Sequence, residues 1–168
     1  GCKLKVLNKN RGVMKKLIAI IMLCTLFVSS CIIKKSNVPT DIVYKDDFNK
    51  VINTYFVQYE PKSFNLIDKD VTQYMAIDIS KKKMDFYEFQ QVQKKLNRNG
   101  WKLVDQNDGL FKYCLNEYQI LSILFPSKNN HYDSKGNIFK YDDKNNWALE
   151  LYFNAYGVDY CMGYYNKP

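Results

Sequence analysis

Met84-Asp85-Phe86-Tyr87-Glu88-Phe89-Gln90-Gln91-Val92-Gln93-Lys94-Lys95-Leu96-Asn97-Arg98-Asn99-Gly100 carries a full set of helix signals, and the chain after it changes period. Asp85 can accept from the backbone three residues on, Glu88 can reach back, and Met84 can staple onto Phe89. Phe86, Phe89, Val92 and Leu96 form one apolar stripe at helical spacing, and Asn99-Gly100 offers a left-handed stop. A helix with a single apolar stripe needs an apolar surface to lie on.

The downstream sequence supplies that surface. Residues 101–105 read as a short strand and 106–109 as a turn. Residues 110–115 and 118–125 flank Asn116-Glu117 and read as a hairpin without the favoured glycine, ended by Pro126. Tyr132 and residues 138–141 flank Asp133-Ser134-Lys135-Gly136, a second hairpin. Trp147, Leu149, Leu151, Phe153 and Ala155 alternate with Ala148, Glu150, Tyr152 and Asn154, the mark of a half-buried strand with one wet face. Upstream, Val71, Met75, Ile77 and Ile79 share a face of another alternating run. Phe48, Val51, Ile52, Tyr55, Phe56 and Tyr59 make one helical face, with Asp46 or Asp47 as cap and Pro61 beyond its end. The expected fold is α+β: an antiparallel sheet with one or two helices packed on one face. No internal repeat alters this.

The chain has 168 residues, enough for one ordinary domain, and a formal charge of +8. That charge is unevenly placed. Residues 1–30 hold six basic residues and no acid, which leaves 19 basic against 17 acidic residues in the remainder. A nucleic-acid partner, which needs clustered positive charge on the folded surface, is therefore not expected. There are 23 Lys against two Arg, with 17 Asn, 14 Tyr and 13 Ile but four Ala, the bias of a low-GC genome. Lys81-Lys82-Lys83 accordingly reads as a solvated loop.

Residues 14–31, Met-Lys-Lys-Leu-Ile-Ala-Ile-Ile-Met-Leu-Cys-Thr-Leu-Phe-Val-Ser-Ser-Cys, have three parts. Lys15 and Lys16 form a positive start, residues 17–28 an apolar run of 12, and Ser29-Ser30 two small residues before Cys31. Such a run is shorter than the roughly 20 residues a permanent membrane helix needs. The segment resembles the signal peptide of bacterial lipoproteins, with Val28, Ser29 and Ser30 at the lipobox positions. The resemblance implies acylation of Cys31, cleavage just before it, and anchoring by chains that each contribute about 0.8 kcal/mol per buried methylene. It covers the signal and Cys31 only. Because Ile32 rather than Asp follows the cysteine, it further implies the outer membrane, facing the periplasm. Residues 31–40 then read as lipidated cysteine and tether, and 41–168 as a single globular domain. Residues 1–13 are expected not to be translated, since Arg11-Gly12 is what a purine-rich ribosome-binding site would encode two codons before Met14.

With Cys24 in the signal and Cys31 acylated, Cys114 and Cys161 remain. One disulfide in an exported domain is favoured over a buried thiol with an incidental one, and over a catalytic Cys114 paired with His131, the single histidine. No metal and no cofactor are expected. His131 and Lys135 stand where a calcium loop beginning at His131 would need oxygen ligands. No phosphate loop or nucleophile elbow is present.

The remaining binding candidate is Tyr152, Tyr156, Tyr160 and Tyr164, whose even spacing would set all four on one face of an extended chain. On that reading Tyr156→Ala and Tyr160→Ala would weaken partner capture with little loss of stability. The expectation is a membrane-anchored envelope lipoprotein, a non-enzymatic binding or assembly module with a protein partner in the envelope. The alternative is an immunity or inhibitor protein that neutralises a periplasmic hydrolase or toxin.

Overall fold

The computed structural model describes residues 46–166. In chain order these form helix α1 (Phe48–Tyr55), a 3-10 turn (Val57–Tyr59), strands β1 (Lys62–Lys69) and β2 (Thr72–Ser80), and helix α2 (Phe86–Arg98). Strands β3 (Lys102–Asn107), β4 (Leu110–Cys114), β5 (Gln119–Leu124), β6 (Asn130–Tyr132), β7 (Ile138–Lys140) and β8 (Asn146–Asn154) follow, then helix α3 (Asp159–Tyr165). Six strands make one antiparallel sheet in the order β1-β2-β8-β5-β4-β3, and β6-β7 is a separate hairpin. The fold is α+β.

Helices α1 and α2 cover the first face. The Asp85 side chain accepts from Glu88 N and the Glu88 side chain accepts from Asp85 N, closing the capping box read from the sequence. Gly100 turns the chain out at φ +93°. Phe89, Val92 and Leu96 are buried, as are all six residues of the α1 stripe, from Phe48 to Tyr59. Asp47, rather than Asp46, caps α1 through Lys50 N. That helix stops at Tyr55 and tightens into the 3-10 turn, so the stripe is continuous although the α-helix is not. Trp147 joins the layers: its Nε1 donates to the Met84 carbonyl at 2.7 Å, and its ring packs 4.6 Å from Phe89.

Burial along the strands records which faces are covered. On β2 and β8, Met75, Ile77, Ile79, Trp147, Leu149, Leu151 and Phe153 are buried and alternate with half-buried residues, so those strands are sealed on one face only. Strand β4 is buried throughout and β5 nearly so, because the β6-β7 hairpin and α3 lie on their other face. Two elements were not read from the sequence. Strand β1 is exposed along its whole length, and a bulge at Leu66, between the Asn65 and Ile67 pairs, breaks the alternation that would have marked it. Helix α3 replaces the extended chain expected through Tyr164.

Candidate binding face

The register builds the second face row by row. Ala76, Glu150, Ser122, Lys112 and Asp105 align across β2-β8-β5-β4-β3, and Asp78, Ala148, Leu124, Leu110 and Asn107 form the next row. One half of this face is closed and the other is open.

Lys112 and Asp133 define the closed half. Lys112 Nζ lies 2.9 Å from Asp133 Oδ2, with side chains 4% and 0% exposed. The ammonium sits 3.5 Å from the centre of the Tyr160 ring, a cation–π contact that adds to the ion pair. Asp133 also accepts from Lys135 N, from Asn137 N and Nδ2, and from the Tyr160 hydroxyl. Burial works to raise the Asp133 carboxyl, but hydrogen bonds from Tyr160, Asn137 and Lys112 outweigh it and hold the group well below the usual carboxylate range. One carboxylate thus fixes the hairpin tip to β4 and to α3. The Cys114–Cys161 disulfide, with Cα atoms 5.6 Å apart across a separation of 47 residues, ties α3 to β4 a second time.

The open half is a cleft of about 270 Å³ between β2, β8, β5 and the β6-β7 hairpin. Ala76, Ala148 and Ser122 line it from the sheet, with Leu110, Leu124 and Ile138 as apolar neighbours. Two carboxylates belong to it. The Tyr74 hydroxyl donates to Glu150 Oε1 at 2.8 Å, and the Tyr141 hydroxyl donates to Asp78 Oδ1 at 2.8 Å. Burial, reinforced by the carboxylate each faces, pushes both tyrosine hydroxyls up, so each stays a donor. Among the described residues, neither carboxylate has an ion-pair partner within 4.0 Å. The cleft combines these carboxylates and apolar walls with Lys140, and Lys62 of β1 stands opposite Asp78 in register.

The residues singled out from the sequence are distributed differently. Cys31, the signal at 14–30, the prefix at 1–13 and the tether lie outside the described residues. Cys114 is committed to the disulfide, so it is not a thiol partner for His131. His131 is fully buried, its Nδ1 2.6 Å from the Asp108 carbonyl and its Nε2 accepting from Ser127 N at 3.2 Å, which makes it a loop fastener. Among the described residues no three His, Cys, Asp or Glu side chains converge as metal ligands, and no helix is long and apolar enough to cross a membrane. Lys82 and Lys83 are exposed in a turn, while Lys81 is half-buried: its ammonium lies 3.8 Å from the Phe125 ring centre and donates to the Pro126 carbonyl.

The tyrosine ladder is corrected. The Asn154 side chain accepts from Tyr156 N and Gly157 adopts φ +102°, so the strand ends and the chain winds into α3. Tyr152 lies on β8, packed beside the disulfide, and Tyr156 is in the turn. Tyr160 is built into the Lys112–Asp133 cluster, while Tyr164 is exposed on the helix. The four share no extended face. Tyr156, 47% exposed, should tolerate Ala within about 0.5 kcal/mol. Tyr160→Phe should cost about 1.5–3 kcal/mol, since it removes a hydrogen bond to a buried charge. Denaturant midpoints for the two variants check the contrast, and equal stabilities would contradict it.

Lys112, Ser122 and Glu150 carried the signal for this face that sequence reading passed over: each is a polar residue at a position where its strand is otherwise apolar or half-buried. No family model matches the chain, and no curated protein or solved structure matches it.

Proposed function

We propose that the protein is a lipid-anchored bacterial envelope protein whose folded part is a non-enzymatic binding module. The observation that carries the reading is the stretch 14–31, where a lysine pair, a short apolar run, two small residues and Cys31 occur in lipobox order. The Cys114–Cys161 bond supports it, because structural disulfides belong to oxidising, exported environments. In this reading acyl chains on Cys31 hold the protein at a membrane, the outer one facing the periplasm in a Gram-negative cell. Residues 32–40, taken as a tether in this reading, would reach about 30 Å at most when fully extended, and the folded part would meet a protein partner close to the bilayer. An immunity or inhibitor protein is the narrower form of the same reading, and adjacency of its gene to that of a secreted toxin would select it. Cys31→Ala should shift the protein from the membrane to the soluble fraction or leave it as an uncleaved precursor. Membrane fractionation with immunoblotting checks this, and a Cys31→Ala protein that stays membrane-bound at the mature size would refute the anchor.

A further inference from the structure

We propose that one end of the folded domain rests on the bilayer surface through the rings of Tyr156, Tyr164 and Tyr165. This deepens the lipid-anchor reading and rests on it, adding which end of the domain faces the membrane.

The first observation is where the chain enters the fold. Asp46 N donates to Gln119 Oε1 at 2.8 Å, and Gln119 Nε2 donates to the Asp46 carbonyl at 2.9 Å. Gln119 is fully buried, so this pair of bonds fixes the entry point at the start of β5. Register gathers Lys69, Thr72, Asn154, Gln119, Cys114 and Lys102 at that same end of the sheet. The opposite end holds Lys62, Ser80, Asn146 and the turn with Lys82. Strand β8, nine residues long, separates the two ends by about 30 Å. Fourteen residues lie between Cys31 and Asp46, a reach of about 50 Å at most. An acylated Cys31 therefore keeps the entry end within that distance of the bilayer. Tethering of this kind raises the local concentration of one surface at the other, so a weak contact suffices.

The second observation is the aromatic exposure at this end. Tyr156 is 47%, Tyr164 41% and Tyr165 37% exposed. Tyr156 lies two residues beyond β8, in a turn packed so closely on Met162 of α3 that a Cβ at Gly157 would clash. Val158 N donates to the Glu117 carbonyl, and the Tyr165 hydroxyl donates to the Cys114 and Leu115 carbonyls, so α3 is held at the same end. The Tyr164 and Tyr165 rings meet edge to face at 5.2 Å. A tyrosine ring joins an apolar body to a polar tip, which suits the headgroup level of a bilayer. Asp68, Asp70, Glu117 and Asp159 stand at this end beside Lys69 and Lys102, so the contact is aromatic and draws nothing from anionic headgroups.

The test uses the full-length acylated protein in phosphatidylcholine vesicles, with a photo-crosslinking amino acid at Tyr164 or, at the opposite end, at Lys82. The expected result is a lipid adduct at Tyr164 about tenfold or more above that at Lys82. Tyr156→Ala should lower the Tyr164 adduct by about threefold or more while circular dichroism stays unchanged. Adding phosphatidylglycerol should not raise it. Equal adducts at the two positions, or an excess at Lys82, would overturn the contact and leave the anchor standing. A Tyr164 adduct indifferent to Tyr156→Ala would do the same, because it would report proximity alone, and so would a yield that rises with phosphatidylglycerol. Intact mass is read on the same preparation, and a chain without acyl groups would count against the anchor itself.

Discussion

Asp133→Ala is expected to destabilise the folded protein by about 3–5 kcal/mol, because it strands the Lys112 ammonium in an interior that admits almost no water. It also leaves Asn137, Lys135 N and the Tyr160 hydroxyl without their shared acceptor. Urea denaturation of the two proteins measures the loss, and a difference below about 1 kcal/mol would contradict the role given to the pair. Adding Lys112→Met should restore part of the stability, since the double variant no longer buries an unpaired charge. The same carboxylate sets an acid limit. Its folded value is depressed, so its stabilisation is complete above the unfolded-chain aspartate value of about 3.9 and is lost as pH falls from there towards the lower folded value. Stability measured from neutral pH downward should fall in that acid window in the wild type, and less steeply in Asp133→Ala.

Replacing Cys114 and Cys161 together by Ala should cost about 4 kcal/mol in the chain-entropy model, for a closed loop of this length. Both cysteines are buried, so reduction without denaturant should be slow and should follow opening of α3. Denaturation of the double variant checks the first expectation, and stability equal to the wild type would refute it. The effects of this change and of Asp133→Ala should not add, since the disulfide and Tyr160 hold the same helix to the same strand. A sum equal to the two separate losses would mean that α3 is not held jointly.

Why the sheet was legible in the sequence, and the binding face was not, follows from where each strand lies. Strands β2 and β8 have one sealed face and so keep strict alternation, and α2 carries its caps in its own residues. Strand β1 has a single neighbour, a bulge at Leu66 and its apolar side chains turned away from the core, so neither period nor burial marks it. Helix α3 is seven residues long, lacks a side-chain cap and owes its position to Cys161 and Tyr160, contacts that connect to distant parts of the chain. The even spacing of the tyrosines suggested an extended ladder because spacing alone cannot report that the chain turns at Gly157. The cleft depends on register between strands far apart in sequence, which brings Ala76 of β2 beside Glu150 of β8 and Ser122 of β5.

On the lipoprotein reading the mature protein begins at an acylated Cys31. Intact mass of the protein extracted from membranes with detergent, before and after reduction, decides this. The expected mass is that of a chain starting at Cys31 plus acyl chains, increasing by two hydrogens on reduction as the Cys114–Cys161 bond opens. An unacylated mass that retains residues 14–30 would contradict it.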